Sequence, residues 1–169
     1  MAEPGENVEQ QQAAPDSVEC AAARDPAVRL FIGAAMGLAA AVYCFVDHYI
    51  RGKYPHPGPD AGINPWLSYA FNAFGPFVFG PPGVLLAVWG VVFLRRKLVA
   101  DQEGIGYVGK DRLAWSDVKR LDTSRFESKG ILRLEFEKDG QARTLTLDGW
   151  KLQNFKPLVR LVESKVEAR

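Results

Sequence analysis

Hydrophobic and polar positions divide the chain into three parts. Residues 1–27 are rich in Glu, Gln, Ala and Pro and hold few large apolar side chains, residues 28–97 contain two long apolar stretches, and residues 98–169 alternate apolar and polar positions at short intervals. A segment with so little apolar surface cannot offset the entropy that it loses on ordering. Residues 1–27 are therefore predicted to form a disordered acidic tail.

The first apolar stretch, Leu30 to Val46, contains 17 residues without a charged side chain. A helix of that length falls a little short of a bilayer core of roughly 30 Å. Arg29 at one end and Asp47 at the other are suited to the membrane interface. Because a soluble helix this apolar would need a much larger protein around it, we predict a transmembrane span over about 29–49.

The second apolar region is longer than one straight span, because no Asp, Glu, Lys, Arg or His occurs in the 34 residues from Ala61 to Leu94. Glycines and prolines at 75–82 fall in its middle, where a proline removes a helical hydrogen bond and clashes with the preceding turn. The expected parts are a loop over 50–65, an interfacial segment over 65–76 and a second span over about 77–97. A re-entrant helix over 66–79, reaching half-way into the membrane, is the alternative.

Basic residues predict the orientation of the two spans. Arg95, Arg96 and Lys97 directly follow the second apolar region, at a position typical of a cytoplasmic stop and of contact with lipid headgroups. Two spans then place both termini in the cytoplasm, in a multi-pass protein of the cell's inner (cytoplasmic) membrane. The loop carries Arg51 and Lys53, so the charge asymmetry is incomplete.

Gly33 and Gly37 form a G-x-x-x-G pattern in the first span. Without side chains at these positions, two helices can approach each other closely. The partner is either the second span, through residues such as Gly83 and Gly90, or another copy of the protein. The pattern does not choose between these alternatives.

Both histidines, His48 and His56, lie in or beside the polar loop, near Asp47 and Asp60. Their spacing matches no metal-ligand pattern, and turn-forming Pro and Gly residues separate them. The segment is typical of a turn-rich interfacial loop, so no metal site is predicted. An enzyme would require a site at this membrane face.

Residues 98–169 show the pattern of a small β domain. The dipeptide Asp139–Gly140 favours a two-residue type I′ turn, which would pair Leu134 with Leu145 on an apolar face. Apolar residues from Phe155 to Val166 recur at helical spacing. A C-terminal helix is therefore predicted to pack one face on the sheet.

The stretch GIGYVG at residues 104–109 matches the G-x-G-x-x-G of dinucleotide-binding folds letter for letter. That motif requires a strand before it, a helix that opens at the third glycine and an acidic residue about 20 positions later. Here a charged turn precedes the motif and further β patterning follows it. No dinucleotide is expected, and the glycines are predicted to open and close a short strand.

Two short motifs open the C-terminal domain, a D-x-x-G-I turn and an R-x-x-W-x-D-V segment. Their residues are Asp101, Gly104, Ile105, Arg112, Trp115, Asp117 and Val118. With the hairpin and the closing helix, this order over roughly residues 98–167 is similar to the bacterial pleckstrin-homology-like domains. The resemblance implies an antiparallel β half-barrel capped by a C-terminal helix, and a non-enzymatic scaffold.

The resemblance also bears on two individual features of the domain. In the eukaryotic relatives that bind phosphoinositides the first hairpin loop is basic, whereas the turn here carries Asp101 and Glu103, so inositol-lipid binding is not expected. Trp115 is expected in the core between sheet and helix, the alternative being an exposed binding residue.

Composition narrows the function further. Lys and Arg number 21 against 20 Asp and Glu, a net charge of +1, which argues against a nucleic-acid binder. The C-terminal domain lacks His and Cys, and no residue set indicates catalysis, a cofactor or a metal. We expect an α+β membrane protein, two transmembrane helices followed by the half-barrel, that presents the domain for protein interaction or assembly. Membrane lipids, other membrane proteins or a second copy are the expected partners, and an accessory subunit of a transport or channel complex is the alternative.

Overall fold

The structure, a computed structural model, describes residues 15–138 and 140–167, and it divides into two compact units. The helical unit extends from Ala22 to Arg96. The β unit joins the residues before the helical unit, up to Ala21, to the chain from Lys97 onward. The chain therefore leaves the β unit, forms the helical unit and returns.

Two long helices make up the helical unit. Helix α1 (Arg24–Phe45) continues into one turn of π-helix (Val46–Ile50), and helix α2 (Ile63–Leu94) follows after a loop. The two helices pack antiparallel. Phe31, near the start of α1, lies beside Gly90, near the end of α2, and Cys44, near the end of α1, lies beside Gly75, in the first half of α2. By length and composition, both helices could cross a membrane.

Helix α2 differs from the arrangement predicted for the second apolar region. It is one helix of 32 residues with Pro76, Pro81 and Pro82 inside it, so the interfacial segment over 65–76 and most of the span over 77–97 belong to the same element. No break in this helix is found within these described residues. Residues of the neighbouring helix α1 lie beside Gly80 and Gly83, on the turns that contain Pro81 and Pro82. Prolines are tolerated in apolar helices where a neighbouring helix packs against them.

Within the described residues, the β unit contains seven antiparallel strands in two sheets. The first sheet has the order β1 (Val18–Ala21), β2 (Lys97–Ala100), β3 (Gly104–Tyr107) and β4 (Leu113–Ala114). The second has the order β5 (Val118–Asp122), β6 (Ile131–Lys138) and β7 (Gln141–Asp148). A 3-10 turn (Trp115–Asp117), a short helix α3 (Phe126–Lys129) and the C-terminal helix α4 (Phe155–Glu167) complete it. The α+β class predicted from the sequence is confirmed at this level.

One hydrophobic core lies between the two sheets and α4. Its fully buried members include Leu98, Ile105, Leu132, Leu134, Leu147, Leu158, Leu161 and Val162. The register of the β6–β7 hairpin agrees with the prediction, since Leu134 pairs with Leu145 and Leu132 with Leu147. Along α4 the residues that enter the core recur at helical spacing, as predicted.

Strand β1 lies within the segment that was predicted to be disordered. Val18 pairs with Ala100 and Ala21 with Lys97, so the N-terminal segment forms the edge of the first sheet. Val18 and Cys20 alternate with Glu19 and are buried in the core of the β unit, which is the physical reason for the ordering. Residues 1–14 of the predicted tail lie outside the described residues.

Candidate functional site

Small residues line the contact between α1 and α2. A Cβ atom at Gly37 would lie 3.2 Å from the carbonyl oxygen of Phe79 and 3.4 Å from the Cα of Gly83. Gly33 lies on the same side of α1, where a Cβ would be 3.4 Å from the side chain of Leu86. The structure therefore places both glycines of the G-x-x-x-G pattern against the second helix of the same chain.

At Gly75 of α2, helix α1 leaves no space for a side chain. A Cβ atom there would lie 2.7 Å from the Sγ of Cys44, well inside van der Waals contact. Cys44 is buried and has a free thiol. Its role here is that of a small packing residue opposite a glycine.

A cluster of polar residues lies where α1 ends. The carboxylate of Asp47 is only 1% exposed, and each of its oxygens binds one cation: Nη1 of Arg51 at 3.0 Å and Nζ of Lys53 at 3.2 Å. The backbone supports this arrangement, because the N–H of Lys53 donates to the carbonyl of Asp47 at 2.9 Å. The π-helical turn brings the carboxylate and the two cations together, and such turns are frequent at functional sites.

The two histidines pack on aromatic rings beside this cluster. The ring centroid of His48 lies 5.3 Å from that of Tyr69, and the ring of His56 lies 5.0 Å from Tyr69 and 4.8 Å from Trp66. Among the residues that the structure describes, no group of three or more His, Cys, Asp or Glu side chains could hold a metal ion. The contacts are those of an aromatic cluster that closes the loop end of the helical unit.

In the β unit, Asp101 connects the two short motifs identified in the sequence. Its carboxylate accepts N–H groups from Glu103 and Gly104 and forms an ion pair with Nη2 of Arg112 at 2.6 Å. The Arg112 guanidinium and these N–H groups hold the pKa of the Asp101 carboxyl below its usual value. The indole Nε1 of Trp115 donates to the carbonyl of Asp101 at 2.8 Å. Trp115 is 8% exposed and lies in the core, as expected.

The glycines of GIGYVG are required by strand packing. A Cβ at Gly104 would lie 2.2 Å from the carbonyl oxygen of Leu113, and one at Gly106 would lie 3.0 Å from the Cα of Arg112. Gly109 has a φ of 81°, which favours glycine, in the turn between β3 and β4. The close approach of the chain at Arg112 and Leu113 therefore accounts for Gly104 and Gly106, and the turn conformation accounts for Gly109.

The acidic turn at 101–103 joins β2 to β3, so it is the second connection of the β unit rather than the first. The first connection, between β1 and β2, is the whole helical unit.

A groove of about 510 Å³ opens between the β3–β4 turn and the β6–β7 hairpin. Asp111 and Lys138 form an ion pair across it, and the ammonium group holds the pKa of the Asp111 carboxyl low. Arg112, which also lines it, is paired with Asp101. The carboxylates of Asp101 and Asp111 are therefore ionised at neutral pH, which makes these two groups unsuited to act as general acids.

The basic residues predicted to contact lipid headgroups are all exposed. Arg95 directly follows the end of α2, Arg96 accepts the N–H of Ala22 on its carbonyl at 3.2 Å, and Lys97 begins β2. Nζ of Lys97 forms an ion pair with Glu19 of β1 at 2.7 Å. Lys97 thus belongs to the sheet and not to the second span.

Comparisons of the chain with models of protein families, with curated protein sequences and with solved structures found no match. The function is therefore inferred from the fold, the contacts and the distribution of apolar surface.

Proposed function

We propose that this chain is an integral membrane protein with two spans that presents the β unit at one face of the membrane for protein interaction or assembly. The observation that carries the proposal is the exposure of large apolar side chains along both helices. Met36, Phe77 and Leu85 are 69%, 67% and 67% exposed. A helix of a soluble protein buries its apolar stripe, whereas a span presents apolar side chains to lipid.

The strand pairing supports a single topology. β1 precedes α1 and β2 follows α2, yet the two strands are neighbours in one sheet. If the helices span a membrane, both ends of the helical unit must therefore lie on the same side. The exposed Arg95 and Arg96 favour the cytoplasmic side of the inner membrane.

The strand count supports the resemblance to the bacterial pleckstrin-homology-like domains. Residues 98–167 alone supply fewer strands than a complete domain of this type, and β1 adds one edge strand from before the helical unit. The result is a four-stranded and a three-stranded antiparallel sheet with a helix packed on their common core. Such a domain acts as a scaffold, which is why interaction or assembly is proposed rather than catalysis.

The alternative function, an accessory subunit of a transport or channel complex, was suggested by a second span broken at its prolines. Helix α2 runs without interruption from Ile63 to Leu94. An uninterrupted helix adds no support for the accessory subunit, so the scaffold is the function that we propose.

Protease protection of the full chain in oriented vesicles tests the proposal. Tags at both termini and a third tag inserted at Gly58, where a Cβ atom would meet nothing within 4 Å, report the two faces. We expect the protein to resist alkaline extraction, the two terminal tags to be cut only from the cytoplasmic face, and the loop tag only from the other. Release by alkali, or terminal tags on opposite faces, would contradict the proposal.

A further inference from the structure

A groove of about 530 Å³ runs along the outer face of α1 and ends at the polar cluster around Asp47. Its apolar walls include Leu38, Ala39, Val42 and Val46. Leu38, Val42 and Val46 are spaced by four residues, so they follow one face of the helix. At about 1.5 Å per residue this face is roughly 12 Å long, which matches the upper part of one lipid acyl chain.

The polar end of the groove carries an excess of positive charge. Arg51 lines the groove, and Lys53 lies beside it on the other oxygen of the same carboxylate. Their side chains are 67% and 55% exposed, while Asp47 is 1% exposed. Two cations on one carboxylate leave a net charge of +1. A guanidinium and an ammonium group have eight N–H donors together, so both can bind a further anion while they hold Asp47.

We propose that this groove binds an anionic phospholipid, with one acyl chain along Leu38–Val46 and the phosphate on Arg51 and Lys53. The inference rests on the proposed function, because the ligand must come from the leaflet at the loop end of the spans. Three observations select this occupant: apolar walls of one helix face, a cationic end where that face meets the loop, and a buried carboxylate that fixes both cations. A partner helix would match the walls but not the charge.

Native mass spectrometry of the full chain, extracted from membranes in mild detergent, tests the proposal with phosphatidylglycerol as the probe and phosphatidylcholine for comparison. Ala39→Phe fills the groove from an exposed position and leaves every charge in place. Val88→Phe, at an exposed position of α2, is the matched control. Arg51→Gln and Lys53→Gln, made singly, each leave the other cation on Asp47.

We expect one phosphatidylglycerol to bind the wild type and the Val88→Phe variant with equal affinity, and about tenfold more weakly to Ala39→Phe. Each single charge substitution should reduce the preference over phosphatidylcholine, because it removes a charge-assisted hydrogen bond. If phosphatidylglycerol bound all variants equally, it would be lipid that surrounds the protein non-specifically. A dimer that is lost in Ala39→Phe would show a helix in the groove. Either result overturns the proposal.

Failure of the proposed function would be visible separately. A chain recovered in the soluble fraction before any lipid is added would contradict the membrane protein itself. A chain that remains in membranes but binds phosphatidylglycerol and phosphatidylcholine alike contradicts the lipid site alone.

Discussion

At the scale of single residues, the most informative group is the network around Asp101. One side chain accepts two backbone N–H groups and pairs with Arg112, while its carbonyl holds the indole of Trp115. The two short motifs of the C-terminal domain are thus in direct contact and form one hydrogen-bonded network. Their residue types could be identified from the sequence, but the contact between them depends on the pairing of β3 with β4.

The low pKa of Asp101 predicts a specific dependence of stability on pH. Because the folded-state pKa is lowered from the usual 3.8, the carboxylate stabilises the fold above that value and loses this effect as the pH falls through the folded-state pKa. Asp101→Asn should therefore be less stable than the wild type at about pH 6 and show a flatter loss of stability in acid.

Thermal unfolding followed by the fluorescence of tryptophan measures this difference over a series of pH values. Asp117→Asn is the matched control, since Asp117 is an exposed residue of the second motif and its carboxylate accepts a hydrogen bond from Ser116. If the stabilities of the wild type and of Asp101→Asn change with pH in parallel, the ionised Asp101 network does not contribute to the stability of the fold.

At the scale of secondary-structure elements, the packing of α1 against α2 explains why α2 is continuous. Gly75, Gly80 and Gly83 lie on the turns that contain the prolines, and each faces a residue of α1. Close approach at these glycines allows dispersion contacts along the whole helix, which offset the hydrogen bonds lost at proline. In the helical unit, small residues of one helix therefore lie opposite side chains of the other, such as Phe31 and Leu38.

Gly75→Ala tests this packing. The new Cβ would lie 2.7 Å from the Sγ of Cys44, so we expect the variant to lose about 1–3 kcal/mol of stability. Gly80→Ala is the matched control, because its Cβ would lie at an ordinary 3.7 Å from the Cβ of Ala41. Thermal unfolding in detergent micelles measures both.

Cys44→Ala should restore part of the stability of Gly75→Ala, because it removes the atom closest to the new methyl group. The double-mutant cycle then isolates the coupling of the two positions. Equal losses for Gly75→Ala and Gly80→Ala, with no effect of Cys44→Ala, would show that the helices are not in close contact here.

At the scale of the whole molecule, the main feature is that the helical unit is inserted into the β unit. Residues 22–96 separate two strands that pair residue by residue, Ala21 with Lys97 and Val18 with Ala100. Burial in the same core raises the pKa of the Cys20 thiol of β1 to about 11, which makes it unreactive at neutral pH. Residues 18–21 are therefore part of the folded β unit.

Excision of the helical unit tests this organisation. A chain in which residues 22–96 are replaced by a short Asn-Gly turn should fold as a soluble domain, because β1 and β2 are already antiparallel neighbours. Residues 97–169 alone should not reach a cooperative fold, since Leu98 would lose the cover of β1 and the first sheet would lose its edge.

Circular dichroism and the reactivity of Cys20 with maleimide measure the outcome. A protected Cys20 thiol and a sharp thermal transition are expected of the excised chain, whereas the fragment from Lys97, which contains no cysteine, should show no sharp transition. If the fragment without β1 unfolds with the same midpoint as the excised chain, the N-terminal strand is not a structural part of the domain.

The sequence by itself determined the elements in which apolar residues recur at a short spacing. Two apolar helices, the register of the β6–β7 hairpin and the core-facing side of α4 all follow from spacings of two or of three to four residues, and Asp139–Gly140 sets the pairing of Leu134 with Leu145. Such patterns are local, because the geometry of the helix or strand itself sets the period at which side chains return to one face.

Only the tertiary structure decided the features that depend on distant parts of the chain. Strand β1 has four residues and too little periodicity to be recognised, and it is ordered because β2 offers an open edge and the core accepts Val18 and Cys20. Helix α2 continues past Pro76 because α1 packs against it. In both cases the stabilising contacts come from residues far away in the sequence, and a local pattern contains no information about them.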